Sequence, residues 1–199
     1  MTLTALSLAG SGLFAVLVVA AHVLKPEIDP RWRLLSELAL GRHGGVMAAA
    51  FVAWAGSNLA LAATLPPTVP GWIAALLAFV SLGPLGAAFA TTDPIMTKPE
   101  QASAAGRWHG IFGLLFILGF PVVAALCAVA ATPLRTWFLV FGLPVWGSLL
   151  NFVVRFARYQ AQGRPPGPDV LIGWPNRLFV AAYLTWTIGI ALALWPLRH

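Results

Sequence analysis

Six stretches of this chain run with almost no charged side chain: residues 5–24, 45–65, 71–91, 108–131, 137–157 and 176–197. About twenty apolar residues is the length an α-helix needs to cross the hydrocarbon core of a bilayer. No water satisfies the backbone there, and the short alternating runs of a membrane barrel are missing, so each stretch predicts a transmembrane helix. The first has no basic leader and is too long for the core of a signal peptide, which makes it a retained helix. The predicted fold is all-α, one domain over residues 1–199, an integral membrane bundle of six transmembrane helices.

The polar positions fall in the links, and the links alternate. Those at 66–70 and 132–136 are very short, whereas residues 22–45 alone hold seven of the eighteen Asp, Glu, Lys and Arg. Within that link Asp29-Pro30 reads as an N-cap followed by the first helical residue, and Gly41 as a stop. Between them Trp32, Leu35, Leu38 and Ala39 recur at helical spacing and Arg33 pairs with Glu37 at i,i+4, which predicts a short interfacial helix lying on the membrane surface. Thr92-Asp93-Pro94 repeats the cap-and-proline pattern after the third stretch. Trp32, Trp108 and Trp174 fall at the charged face and Trp72, Trp137 and Trp195 at the opposite one, as rings that prefer the interface should. Trp54, Trp146 and Trp186 fall mid-helix. Pro84, Pro121 and Pro144 sit inside the third, fourth and fifth stretches, where each removes a backbone donor and can kink its helix.

Composition agrees. A chain that is 59% hydrophobic and 9% charged, with a mean hydropathy of +0.84, is no water-soluble domain, since roughly a quarter of such a domain's residues are charged. A net charge of +6 and a pI near 10.8 would suggest nucleic acid in a soluble protein. Here the basic residues flank apolar stretches, where they mark topology, so membrane lipids are the predicted partner and nucleic acid is not. Ten of the twelve Lys and Arg lie on one side; the other two are Arg135 and Arg198. The positive-inside rule then places the charged links in the cytoplasm and both termini outside. Cys127, the single cysteine, lies within an apolar stretch and allows no intramolecular disulfide.

All six carboxylates share the charged side. There His22, Ser36, Glu37, Asp93, His109, Arg155, Asn176 and Arg177 fall at one depth, and ionisable groups at membrane depth are costly unless paired. The structural reading is a salt-bridge network in which Glu37 and Asp93 pair with Arg155 and Arg177 and lock the helix ends, with Arg155 the expected partner of Asp93. A metal centre would take His22, Asp93 and His109 as three ligands of an open zinc site with Glu37 as base, although no His-Glu-x-x-His pattern is present. A nucleophilic site would combine Ser36, a histidine and Asp93. Haem would need His22 and His109 as axial ligands, and both lie near one face. Ser36, Glu37, Asp93 and His109 are thus the catalytic candidates. No cofactor is established by the sequence, and zinc is the metal that the candidate ligands suit.

At these residues the chain resembles the bacterial membrane family catalogued as domain of unknown function 998. The resemblance rests on Lys25-Pro26-Glu27-Ile28-Asp29-Pro30, Ser36-Glu37-Leu38-Ala39-Leu40-Gly41 with Gly44 or Gly45 and Met47, Thr92-Asp93-Pro94, Gly106-Arg107-Trp108-His109 and Asn176-Arg177. In that order the motifs cover nearly the whole chain. The resemblance implies a six-helix protein of a bacterial inner membrane and carries no established activity. The family pattern has an aromatic after Ser-Glu, where this chain has Leu38. A looser resemblance is to membrane hydrolases of the alkaline ceramidase and progestin-receptor type, to which Ser36, Asp93, His22 and His109 would correspond. Those families have seven helices and a His-x-x-x-His pair, whereas this chain has six stretches and His199 alone.

These readings predict a polytopic membrane protein with a polar, charged vestibule at its cytoplasmic face that binds a lipid or amphipathic small molecule. The alternatives are a zinc-dependent intramembrane lipid hydrolase and a non-catalytic subunit or scaffold of a membrane complex. Oligomeric state and complex partner are not written in the sequence.

Overall fold

The computed structural model describes residues 2–130, 134–163, 165 and 167–195. Its α-helices are α1 (Leu3–Leu24), α2 (Gly44–Ala62), α3 (Gly71–Val80), α4 (Leu82–Phe89), α5 (Ala104–Ala130), α6 (Arg135–Gln162) and α7 (Gly173–Leu194). No strand occurs among the described residues. Since α3 and α4 are two halves of one span, six helices among the described residues are long and apolar enough to cross a membrane. The protein is an integral membrane bundle of six transmembrane helices. The predicted ends at 131 and 197, part of the 132–136 link, Arg164, Arg198 and His199 lie outside the described residues.

Several helices outrun their apolar cores at the charged end. Helix α5 begins at Ala104 rather than Trp108, α7 at Gly173 rather than Asn176, and α6 continues to Gln162 rather than 157. Hydropathy marks only the part of a helix in hydrocarbon, whereas the helix itself runs until its ends are capped. Ser103 caps α5, its hydroxyl accepting from the Gly106 N–H at 2.8 Å. Gly163, at φ +58°, closes α6.

The prolines divide into two kinds. Pro84 coincides with a break: its ring would collide with the Val80 carbonyl, and the third span parts at Ser81, whose hydroxyl donates to the Leu77 carbonyl at 2.6 Å. Pro121 lies within an unbroken α5. Its missing N–H frees the Ile117 carbonyl, and the Tyr183 hydroxyl on α7 donates to that oxygen at 2.7 Å. Pro144 also lies within an unbroken helix, α6.

The spans close a ring in chain order: α1 on α2, α2 on α4, α4 on α5, α5 on α6, α6 on α7 and α7 on α1. Helices α1 and α2 approach most closely at Gly10, where a Cβ would stand 2.9 Å from the Ala53 carbonyl oxygen. The seam is tied by Ser57, which donates to the Ser7 carbonyl at 2.7 Å and meets the Ser11 hydroxyl at 2.7 Å. Aromatic rings fill the centre: Phe14 stacks on Trp54, Trp54 meets Phe116 edge-on, and Phe120 stacks on Tyr183 and meets Trp186 edge-on. Of the mid-helix tryptophans, Trp54 and Trp186 are therefore core, while Trp146 faces outward. Trp72, Trp108, Trp137, Trp174 and Trp195 are all exposed near helix ends.

Candidate functional site: a capped cavity

The link from α1 to α2 carries a short helix, but one set into the bundle and shorter than the predicted span from Pro30 to Gly41. Asp29 does open a turn, its carboxylate accepting from the Arg31 backbone N–H at 2.9 Å and its carbonyl from the Arg33 N–H. The Arg31 guanidinium, 2.7 Å away, holds the Asp29 carboxyl below the usual carboxylate range. The turn then ends, Leu34 is extended, and the only helix is a 3₁₀ segment, Leu35–Ala39. It sits in the mouth of the bundle with Leu35, Glu37 and Leu38 buried. With three residues per turn, Leu35 and Leu38 share one face and go inward together.

Glu37 organises this plug. Its carboxylate, fully buried at 0% exposure, accepts from Arg33 Nε at 2.7 Å, the Leu34 N–H at 2.7 Å and the Ile95 N–H at 2.9 Å. The i,i+4 pair with Arg33 is the one expected, and the bond back to Leu34 is half of a capping box. The bond to Ile95 ties the first charged link to the second. Lys25, which follows α1, is buried as well, its ammonium donating to the carbonyls of Leu38 and Leu40. It thereby satisfies acceptors left open at the end of the 3₁₀ segment.

The last helix holds the same link from the other side. Arg177 donates through Nη1 to the carbonyls of Arg33 at 2.7 Å, Gly173 at 3.1 Å and Pro30 at 3.4 Å, and through Nε to His22 Nε2 at 2.9 Å. His22 Nδ1 in turn donates to the Val18 carbonyl at 2.8 Å, which fixes the tautomer: Nε2 carries a lone pair directed at a cation. Asn176 accepts the Leu35 N–H at 2.7 Å and so anchors the start of the 3₁₀ segment. Only glycine fits at 173, where a Cβ would lie 2.3 Å from the Pro30 carbonyl oxygen.

The predicted pairing of Glu37 and Asp93 with Arg155 and Arg177 is not formed. Ion pairs among the described residues are Arg31 with Asp29 and Arg33 with Glu37. Asp93 accepts from the Ser103 N–H at 2.9 Å and packs on Gly106, capping α5 from a distance rather than opening a helix of its own. Arg155 donates to Asn151 on its own helix at 3.0 Å. Helix α7 is turned so that Arg177 meets backbone carbonyls, whose dipoles aim partial negative charge at the guanidinium where a carboxylate was expected. Nor do His22, Asp93 and His109 assemble as ligands: no group of three His, Cys, Asp or Glu able to hold a metal occurs among the described residues. His109 Nδ1 donates to the Ala90 carbonyl at 2.7 Å, and Asp93 makes no hydrogen bond to that ring, so a Ser-His-Asp relay is not in place.

Beneath the plug lies a pocket of about 260 Å³, covered at its charged end but not enclosed, since Gly110 and Leu114 along it are exposed. Phe51, Trp54, Phe116, Phe179 and Val180 form its apolar wall, and Ser36, Thr92, His109 and Asn176 bring polar groups to its charged end. The Ser36 hydroxyl has no hydrogen bond to the described residues, and His109, bonded through Nδ1, keeps Nε2 as an acceptor. Such an arrangement can solvate a small polar head while its apolar continuation lies among aromatic rings.

The model for a protein of unknown function, DUF998, matches residues 8–193. The chain belongs to this family. No curated protein and no solved structure matches it. In this DUF998 protein the motifs that carried the resemblance are pieces of one cap. Lys25 and Glu37 hold the plug, Asp93 and Gly106 fix the start of α5, and Asn176 and Arg177 clamp the plug to α7. Leu38, where the family pattern has an aromatic, is fully buried. Lys25 and the wall residues Trp54, Gly110 and Gly113 were not among the predicted site residues. For Lys25 the signal was its place directly after an apolar run, which reads equally well as a topology mark.

Proposed function

We propose that this protein binds an amphipathic molecule, a lipid or lipid-like small molecule, with its apolar part in the capped cavity and its polar part at Ser36, His109 and Asn176. The observation that carries the reading is the cavity's polarity: an aromatic wall in the bundle, polar groups only under the plug. Its volume lies just below the roughly 300–1,000 Å³ of small-molecule sites, which suits a single chain or a compact ligand. The protein acts as one six-helix domain in a bacterial inner membrane, with the plug on the cytoplasmic side and the termini outside, as the ten Lys and Arg of the charged face support.

Gly113 gives the test. It lines the cavity, and a Cβ there meets nothing within 4 Å. Gly113→Leu therefore fills cavity space without backbone strain and gains about 1 kcal/mol of helix propensity. Mass spectrometry of solvent extracts from purified protein should find a co-purifying amphipathic molecule in the wild type and at least tenfold less in this variant. Equal retention in the two proteins, or nothing beyond bulk membrane lipid in either, refutes the reading.

A further inference from the structure

A second polar feature lies outside the cap. Two hollows meet at the charged end of α6: one of about 840 Å³ lined by Arg155, Arg158, Gln162 and Asp169, and one of about 610 Å³ along the outer groove between α6 and α7, past Trp174, Leu178 and Ala181. They share Asn151, Arg155 and Leu171. Arg155 and Arg158 are one turn apart on α6, both are exposed, and neither has a carboxylate partner among the described residues. Among the described residues Arg155 is bonded only through Nε, which leaves both terminal nitrogens of its guanidinium without a partner there.

Arg155 lies in the last turn of the apolar stretch and Arg158 just beyond it, at the edge of the hydrocarbon, where guanidiniums are drawn to anionic headgroups. Two guanidiniums at i,i+3 lie close enough to share one phosphate, and each offers the paired donors that phosphate oxygens accept. Below them the groove turns apolar, with Leu178 at 54% and Trp174 at 56% exposure, surfaces that in a bilayer face lipid. We propose that this groove binds an anionic phospholipid, its phosphate held by Arg155 and Arg158 and an acyl chain laid along Leu178 and Ala181. The site is separate from the capped cavity and does not depend on it.

Native mass spectrometry of the full chain in detergent tests this, with phosphatidylglycerol and phosphatidylcholine titrated in parallel. The wild type should prefer phosphatidylglycerol, and Arg155→Gln/Arg158→Gln should weaken that lipid about thirtyfold, five- to sixfold per arginine, while weakening phosphatidylcholine, whose choline cation offsets its phosphate, much less. Arg155→Lys/Arg158→Lys keeps the charge but not the fork, so it should retain part of the preference; that pair decides the matter if the glutamine pair does not fold. Glycerol 3-phosphate should not compete at equal concentration. Gly113→Leu should keep the full preference, since it blocks only the cavity. Equal binding of the two lipids, a preference that survives loss of the arginines, one that survives intact in the lysine pair, competition by glycerol 3-phosphate, or loss of preference in Gly113→Leu would each overturn the proposal.

Discussion

Replacing Glu37 by alanine is the sharpest perturbation of the cap. It strands the Leu34 and Ile95 amides and the Arg33 guanidinium, whose side chain is only 18% exposed. Breaking one side of a buried ion pair costs about 3–5 kcal/mol, and each stranded amide costs about 1–3 kcal/mol unless water reaches it. Because the plug can open and admit water, the penalties overlap, and the expected total is about 3–5 kcal/mol. At about 2–4 °C per kcal/mol for a chain of this length, the melting temperature in detergent should fall by about 6–20 °C. Glu37→Gln keeps one acceptor oxygen and should lose roughly half as much. Arg33→Ala combined with Glu37→Ala should cost clearly less than the two separate losses, since the residues act through one contact. Hydrogen exchange gives a local readout, with the Ile95 amide losing protection in Glu37→Ala. A fall below about 3 °C with additive losses would show that the carboxylate is solvated like a surface group, and the reasoning would fail.

Three further outcomes follow from the same geometry. Asp93→Ala should cost about 1 kcal/mol, the value of a helix cap, and should be additive with Arg155→Ala in thermal denaturation, because the two residues do not meet; strong coupling would restore the ion pair. Gly173→Ala should lower the melting temperature by several degrees and raise proteolysis of the 25–43 link, since its Cβ displaces the Pro30 carbonyl; an unchanged protein would mean the link yields freely. The Asp29 carboxyl titrates below its usual 3.8, so its small contribution is present above that pH and is lost as pH falls through the lower folded value. Wild type and Asp29→Asn should accordingly differ in stability at neutral pH and converge in strong acid, as pH-dependent melting would show.

The six spans were legible because hydrocarbon imposes a length and a composition on every crossing helix, and the depth of the polar cluster was legible because links fix where helices end. Partner choice was not. Whether Arg177 faces Asp93 or the Arg33 carbonyl depends on the rotation of α7 about its axis, and a helix apolar on nearly every face carries no signal of that rotation. The 22–45 link misled for a different reason. Trp32, Leu35 and Leu38 have helical spacing, but Leu35 and Leu38 alone also fit a 3₁₀ turn, and that turn is held by partners far along the chain, the Ile95 amide on Glu37 and Asn176 on the Leu35 amide. Arg33 with Glu37 was legible because both partners lie in one local segment. Ser36 and His109 do reach one cavity, although Asp93 is not bonded to the His109 ring to complete a relay.

The clamp on the plug also carries a consequence for biogenesis. Arg177 and Asn176 reach residues 141 to 155 positions earlier in the chain, and both belong to α7, which leaves the ribosome after the other five spans. Until that helix enters the bilayer, His22 lacks its guanidinium partner, the Leu35 amide lacks its acceptor, and the first charged link has only Glu37 and Lys25 to hold it. The plug is therefore clamped only as α7, which also supplies Phe179 and Val180 of the cavity wall, joins the bundle. A chain arrested before α7 would keep its first charged link loosely held and its pocket without the α7 wall, open to the proteases that clear unfinished membrane proteins.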